Sequence, residues 1–124
     1  MPTSMSGISE RSPKSRRVVV DVDDTLCYTV GRDYANASPN SELISKLAAL
    51  RREGWIVTLF TARGQVSCNG DLDLIHERVR PILVEWLERH AVEYDELIFG
   101  KPYADLYVDD KGMTPEEFLK WEER

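Results

Sequence analysis

Strand-type and helix-type segments alternate along this chain, which predicts an α/β fold: a mainly parallel sheet with helices on both faces, in three layers. Two observations carry that prediction. Short apolar runs such as Val18-Val19-Val20 and Trp55-Ile56-Val57-Thr58-Leu59-Phe60 are separated by stretches in which Leu and Ile recur at three- and four-residue spacing. The polar residues of chemical interest each fall just after one of the apolar runs, where parallel sheets gather their ligands. At 124 residues the chain is a single domain, long enough for one core and too short for two.

In chain order, residues 1–16 are rich in Ser, Pro and basic side chains without an apolar period. They read as a flexible N-terminal tail, leaving 17–124 as the folded domain. Arg17 to Asp21 forms the first strand, and a loop follows from Thr25 to Ser38. Ser38-Pro39 reads as an N-cap and first helical position, and Leu43, Ile44, Leu47 and Leu50 then share one helical face until Gly54 stops the helix. Trp55 to Phe60 is a second strand, apolar enough for burial on both faces.

After a loop from Gly64 to Asp71, the residues Leu72, Ile75, Val79, Ile82, Leu83 and Trp86 make a second helical stripe that runs up to His90. Pro81 interrupts it. A proline inside a helix costs about 3 kcal/mol, so the expectation is a kink or a main helix starting near Arg80. Glu96 to Phe99 and Leu106 to Val108 are two more short strands. Thr114-Pro115-Glu116-Glu117 then supplies an N-cap, a first-turn proline and a capping-box glutamate for a last helix through Trp121.

Apolar content of 42% and charged content of 31% are those of an ordinary globular protein. No apolar run approaches bilayer-spanning length and no signal-type stretch opens the chain, so a cytoplasmic location without a membrane partner is expected. The net charge is −6, and because Arg11, Lys14 and Arg16 outnumber Glu10 in the tail, the domain is more acidic than the whole chain. Such a surface makes nucleic acid a poor partner. Cys27 and Cys68 are too few for a disulfide framework or a zinc site and read as ordinary thiols.

The most informative stretch is Asp21-Val22-Asp23-Asp24-Thr25, directly after the first strand. In extended backbone Asp21 and Asp23 share a face while Val22 turns to the core. Neighbouring carboxylates stay ionised only if a cation offsets their repulsion. Hard oxygen ligands on a short turn suit Mg²⁺, which shares its coordination sphere readily with a phosphate. The plain alternative is an acidic turn in which Asp24-Thr25 caps the next element. Thr61 after the second strand, Lys101 after the third and Asp109-Asp110 after the fourth would complete a polar pocket drawn from distant parts of the sequence.

Asp21-Val22-Asp23-Asp24-Thr25-Leu26, Thr61-Ala62-Arg63, Lys101-Pro102 and Tyr107-Val108-Asp109-Asp110-Lys111 resemble the four ordered motifs of the haloacid dehalogenase-like (HAD) phosphohydrolases. They cover Val18 to Lys111. More narrowly, Tyr34-Ala35-Asn36-Ala37-Ser38-Pro39-Asn40 and Gly100-Lys101-Pro102 with Tyr107-Val108-Asp109-Asp110-Lys111 look like the small phosphatases encoded with bacterial capsule and polysaccharide genes. The resemblance implies a Rossmann-like HAD core without a cap domain, since neither long connection has room for one. It also implies a phosphatase that works through an aspartyl-phosphate. Carried over by position, Asp21 attacks phosphorus, and Asp23 protonates the leaving oxygen and then activates water. Mg²⁺ is held by the Asp21 carboxylate, the Asp23 main-chain carbonyl and Asp110, with Asp109 supporting from behind. Thr61 and the amides near Asp24 and Ala62 bind the phosphoryl oxygens, and Lys101 offsets the acids. Position 24 departs from the pattern, because many relatives have glycine there.

Several residues stay open at this level. Arg63 either binds substrate or pairs with Asp71 or Asp73. His76 and His90 read as surface or helix-end residues, the three tryptophans as packing, and Tyr34, Asn36 and Asn40 as loop residues over the pocket. The implied substrate is a sugar phosphate or polysaccharide precursor. A nucleotide or polynucleotide end is the alternative, and capless relatives that borrow a lid from a neighbour leave a homo-oligomer open. A phospho-receiver module has similar residues at strand ends, but its accepting aspartate lies on a middle strand, where this chain has Thr61 and Lys101. A non-catalytic binding module is the remaining class, and its usual mark, loss of the nucleophile or acid, is absent here.

Overall fold

The computed structural model describes residues 16–65, 67–99, 106–108 and 113–122. Along the chain run β1 (Arg17–Asp21), β2 (Cys27–Tyr28), a 3-10 turn (Tyr34–Asn36), β3 (Ser38–Pro39), α1 (Ser41–Arg52), β4 (Ile56–Thr61), α2 (Leu72–Arg78), α3 (Arg80–Arg89), β5 (Glu96–Phe99), β6 (Leu106–Val108) and α4 (Pro115–Lys120). The expected tail falls almost wholly outside the described residues. Arg16 already takes part in the sheet, its carbonyl accepting from the Ile56 amide at 2.8 Å.

β5, β4, β1 and β6 form one sheet in that order, every pair parallel, with Val18 in register with both Val57 and Leu106. β2 and β3 make a separate antiparallel ribbon. Alternation along the strands sends Val18, Val20, Val57, Leu59 and Val108 to one face, where they join Leu43, Leu47 and Leu50 of α1, Leu83, Trp86 and Leu87 of α3 and Phe118 of α4 in a single buried cluster. His76 of α2 meets Phe99 edge-on at 5.3 Å, and Phe99 is in register with Thr61 on that same side. On the other face Arg17 reaches Thr58 and Glu96 in a hydrogen-bonded cluster.

Val19 and Thr58 are fully buried on that other face, and among the described residues α1, α3 and α4 all pack on the first. The reason is topological. Steps from β1 to β4 and from β4 to β5 move the same way across the sheet, and right-handed crossovers in one direction deposit their helices on one side. The return to β6 passes through residues 100–105, outside the described set.

Helix α1 begins later than its sequence suggests. Asn40 is the N-cap, its Oδ1 accepting from the Leu43 amide at 3.2 Å, while Ser38-Pro39 pairs with Cys27-Tyr28. The Asn40 amide also donates to the Leu26 carbonyl at 2.9 Å and its Nδ2 to the Thr25 carbonyl at 3.2 Å, so one side chain ties the start of α1 to the turn after β1. Pro81 breaks the second helical stripe as expected, and α3 starts at Arg80. Two members of that stripe are not core: Leu72 is 52% and Ile82 43% exposed. The capping box at Thr114 and Glu117 forms as read, and Trp121 packs edge-on against Trp55 at 5.6 Å. Trp86 is fully buried and donates its Nε1–H to the Ala37 carbonyl at 2.9 Å.

Candidate functional site

β1 lies inside the sheet with β4 on one flank and β6 on the other, although β4 follows it and β6 comes last. Strand order thus reverses at β1, and the crevice at the carboxyl end of such a strand is where open α/β sheets bind ligands. Asp21 is the last residue of β1, in register with Phe60. Past it the Val22 amide still donates to the Phe60 carbonyl at 3.0 Å, and the Val22 carbonyl accepts from the amides of Leu26 and Cys27. That tight turn buries Val22, as alternation requires, and lifts Asp23 and Asp24 to the sheet edge.

Asp24 has φ 61°. This left-handed conformation favours glycine, with aspartate among the few other residues that tolerate it. The departure at position 24 is thus one the backbone accepts.

The Asp23 carboxylate is held at both oxygens. Thr61 donates its Oγ1 hydroxyl to Oδ2 at 3.0 Å, and Arg63 donates Nε–H to Oδ1 at 2.9 Å. The Arg63 amide in turn donates to Thr61 Oγ1 at 3.0 Å, which fixes the hydroxyl's direction. Arg63 is 5% exposed and stacks its guanidinium over the Tyr34 ring at 4.2 Å from the centroid. Its Nη2 approaches Cys27 Sγ at 3.5 Å. Of the two partners expected for Arg63, neither is used: Asp71 caps α2 by accepting from the Asp73 and Leu74 amides, and the arginine turns to Asp23.

Thr61 and Asp23 therefore meet as the strand-end reading required, and Tyr34 belongs to the site through Arg63. Asn36 and Asn40 do not: Asn36 bonds Asp33 and Asn40 caps α1. Both cysteines are buried free thiols. Burial pushes the Cys27 thiol up, with the charge of Arg63 pulling against it, so Cys27 is no ready nucleophile. Lys101, Asp109 and Asp110 lie outside the described residues. β6 runs parallel beside β1 up to Val108, the residue before Asp109, in register with Val20.

A hard cation suits what is described. Asp21 ends β1 and Asp23 follows it, so carboxylate and carbonyl oxygens, the ligands a hard cation takes, gather at this edge. The Asp23 side chain is committed to Arg63 and Thr61, which leaves its main-chain carbonyl as the atom that could face a cation. Among the described residues alone, no group of three acidic, histidine or cysteine side chains could hold a metal ion.

Beside Arg63 opens a cavity of about 310 Å³ walled by Arg32, Tyr34, Arg63, Arg78, Val79 and Ile82, with Ala62 and Gly64 at its rim. Gly64 is required where it stands. At φ 86°, a Cβ there would lie 2.8 Å from Ile75 Cγ1 and 3.0 Å from Val79 Cγ2. Gly64→Ala is expected to cost about 2–4 kcal/mol from left-handed strain and overpacking. A thermal-unfolding midpoint within a degree or two of the parent would show that the turn has more slack than this.

Fold and site together define an α/β protein with acids, a hydroxyl and an arginine clustered at the switch point of a parallel sheet. A crystal structure of a target protein from Vibrio cholerae matches with a TM-score of 0.74 and 33% identity, over 86% of this chain and 89% of that one. The chain belongs to the same family as that Vibrio cholerae protein. Two structures of the Pnkp1/Rnl/Hen1 complex, one of them described as an RNA repair complex, contain chains with TM-scores of 0.59 and 0.54 at 17% and 20% identity. This chain spans only 45% and 40% of their lengths, so the likeness shows a shared fold within longer proteins. No family model matches the chain. No curated protein sequence matches it either.

Proposed function

We propose that the protein is a Mg²⁺-dependent phosphomonoester hydrolase of the HAD-like type, without a cap domain, that works through an aspartyl-phosphate on Asp21. The observation that carries this reading is the join between strands: Asp23 after β1 accepts from Thr61 at the end of β4, at the switch point of the sheet. A phosphoryl group beside Asp21 would find an attacking carboxylate, an acid two residues on, and the backbone amides near Asp24 and Ala62, while the Thr61 hydroxyl is spent on Asp23.

Asp21 forms the new P–O bond while the ester oxygen leaves with a proton from Asp23. Water, deprotonated by Asp23, then attacks the same phosphorus and frees Asp21 and phosphate. Arg63 and Thr61 keep the Asp23 carboxylate aimed during both steps. Mg²⁺, held by Asp21, the Asp23 carbonyl and Asp110 with support from Asp109, would orient the phosphoryl group and neutralise charge building on its oxygens. Lys101 would add a second positive charge.

Removing divalent ions with a chelator is expected to stop hydrolysis of p-nitrophenyl phosphate, and added Mg²⁺ to restore it. Indifference to both treatments would end the metal role.

Sugar phosphates or polysaccharide precursors are the favoured substrates, following the resemblance in the loop before α1. A polynucleotide end is the second reading, and its support is the fold shared with chains of the Pnkp1/Rnl/Hen1 complex. A net charge of −6 weighs against it, because polyanion binding draws on basic surface.

A further inference from the structure

The cavity beside Arg63 is basic although the chain as a whole is acidic. Acidic residues outnumber Lys and Arg by 22 to 16 over the chain, yet this cavity is walled by Arg32, Arg63 and Arg78, and none of its described walls is a carboxylate. Arg63 is neutralised by Asp23 on its inner side. Arg32 and Arg78 are both exposed, and neither forms an ion pair with any described residue. Most single surface arginines are solvated and inert. Here the loop before the 3-10 turn and the end of α2 bring two guanidinium groups, with no ion-pair partner among the described residues, to one concave surface, where an anion would meet both. The Tyr34 ring and the side chains of Val79 and Ile82 add an apolar floor, and a volume of about 310 Å³ is at the lower bound of small-molecule sites.

Resting on the phosphatase reading, we infer that this cavity takes the leaving group of the substrate and that the leaving group carries a second anion, a carboxylate or a phosphate, held by Arg32 and Arg78. The cavity shares Ala62 and Arg63 with the turn that faces the reacting phosphoryl group. A compact sugar derivative with charges at its two ends would reach from one to the other. Arginine suits this task because its planar fork grips either anion with paired hydrogen bonds.

The test is calorimetric binding to the full-length Asp21→Asn protein with Mg²⁺, which needs no turnover. Three ligands share one ring: glucose 1-phosphate, glucuronic acid 1-phosphate and glucose 1,6-bisphosphate. One or both of the doubly anionic ligands should bind at least about 10-fold tighter than glucose 1-phosphate, the gain expected of a charge-assisted pair. Which of them gains tells carboxylate from phosphate. Adding Arg32→Gln or Arg78→Gln should shrink the advantage to about 3-fold or less. Equal affinity for all three ligands, an advantage that survives both substitutions, or no binding of any of them would overturn the inference. Turnover of p-nitrophenyl phosphate by the unsubstituted protein reports separately on the phosphatase reading, so the two can fail independently.

Discussion

Asp21→Asn is expected to abolish hydrolysis of p-nitrophenyl phosphate, a loss of at least about 10³-fold in kcat, because the amide keeps the shape of the carboxylate but cannot attack phosphorus. The loss should appear at saturating substrate. Asp21 is half-buried at the end of β1 with its backbone in the ladder, so the variant should keep the far-ultraviolet circular dichroism of the parent. Binding of phosphate esters should survive, since the backbone amides near Asp24 and Ala62 remain. A clean preparation of the variant with kcat near the parent's would remove Asp21 as nucleophile, and with it the aspartyl-phosphate. The fold would still place a site at this edge.

Much of this was legible in the sequence because strands and strand ends are local features. Val18 to Val20 and Trp55 to Phe60 could only be buried strands, and the acids and threonine that follow them had to reach the carboxyl edge of a parallel sheet. The second helical stripe broke at Pro81 for a reason that lies within one turn of backbone. What the sequence could not show is long-range. Ser38-Pro39 carries an N-terminal signature, yet Asn40 caps instead because its backbone and side chain reach Leu26 and Thr25, partners fixed only after the chain folds back. Leu72 and Ile82 keep helical spacing with the buried residues but fall at the edge of the stripe, and Ile82 ends as a cavity wall. The placement of the described crossover helices on one face follows from strand order, which periodicity does not contain. Arg63 is the instructive case. Asp71 and Asp73 are the first acids after it along the chain, whereas β1 and β4 pair with Asp21 opposite Phe60, and this sets Asp23 beside the turn that bears Arg63. A search for acids near the end of a neighbouring strand would have found it.

That pairing sets the second large effect. Arg63→Met removes a guanidinium that holds Asp23 Oδ1, stacks on Tyr34 and closes over Cys27, while the apolar chain still fills much of the space. Breaking a buried ion pair costs about 3–5 kcal/mol, but the Asp23 side chain is 31% exposed and regains water, so a loss of about 1–3 kcal/mol is expected in denaturant unfolding. The catalytic effect should be larger than stability alone accounts for. Asp23 would keep only the Thr61 hydroxyl to aim it, and a displacement of about 1 Å in a proton-transferring group costs on the order of 100-fold. kcat for p-nitrophenyl phosphate should therefore fall about 10- to 100-fold, with KM changing by less, because this substrate's phosphoryl contacts come from the backbone amides near Asp24 and Ala62. Arg63→Lys should rescue little: an ammonium can reach the carboxylate or lie over Tyr34, but it has no planar fork with which to do both. An Arg63→Met protein with the parent's kcat and a lowered stability would reduce Arg63 to a structural brace and leave Thr61 alone to orient the acid. A fall in kcat at unchanged KM, repeated in the lysine variant, identifies Arg63 as the residue that positions Asp23 for both proton transfers.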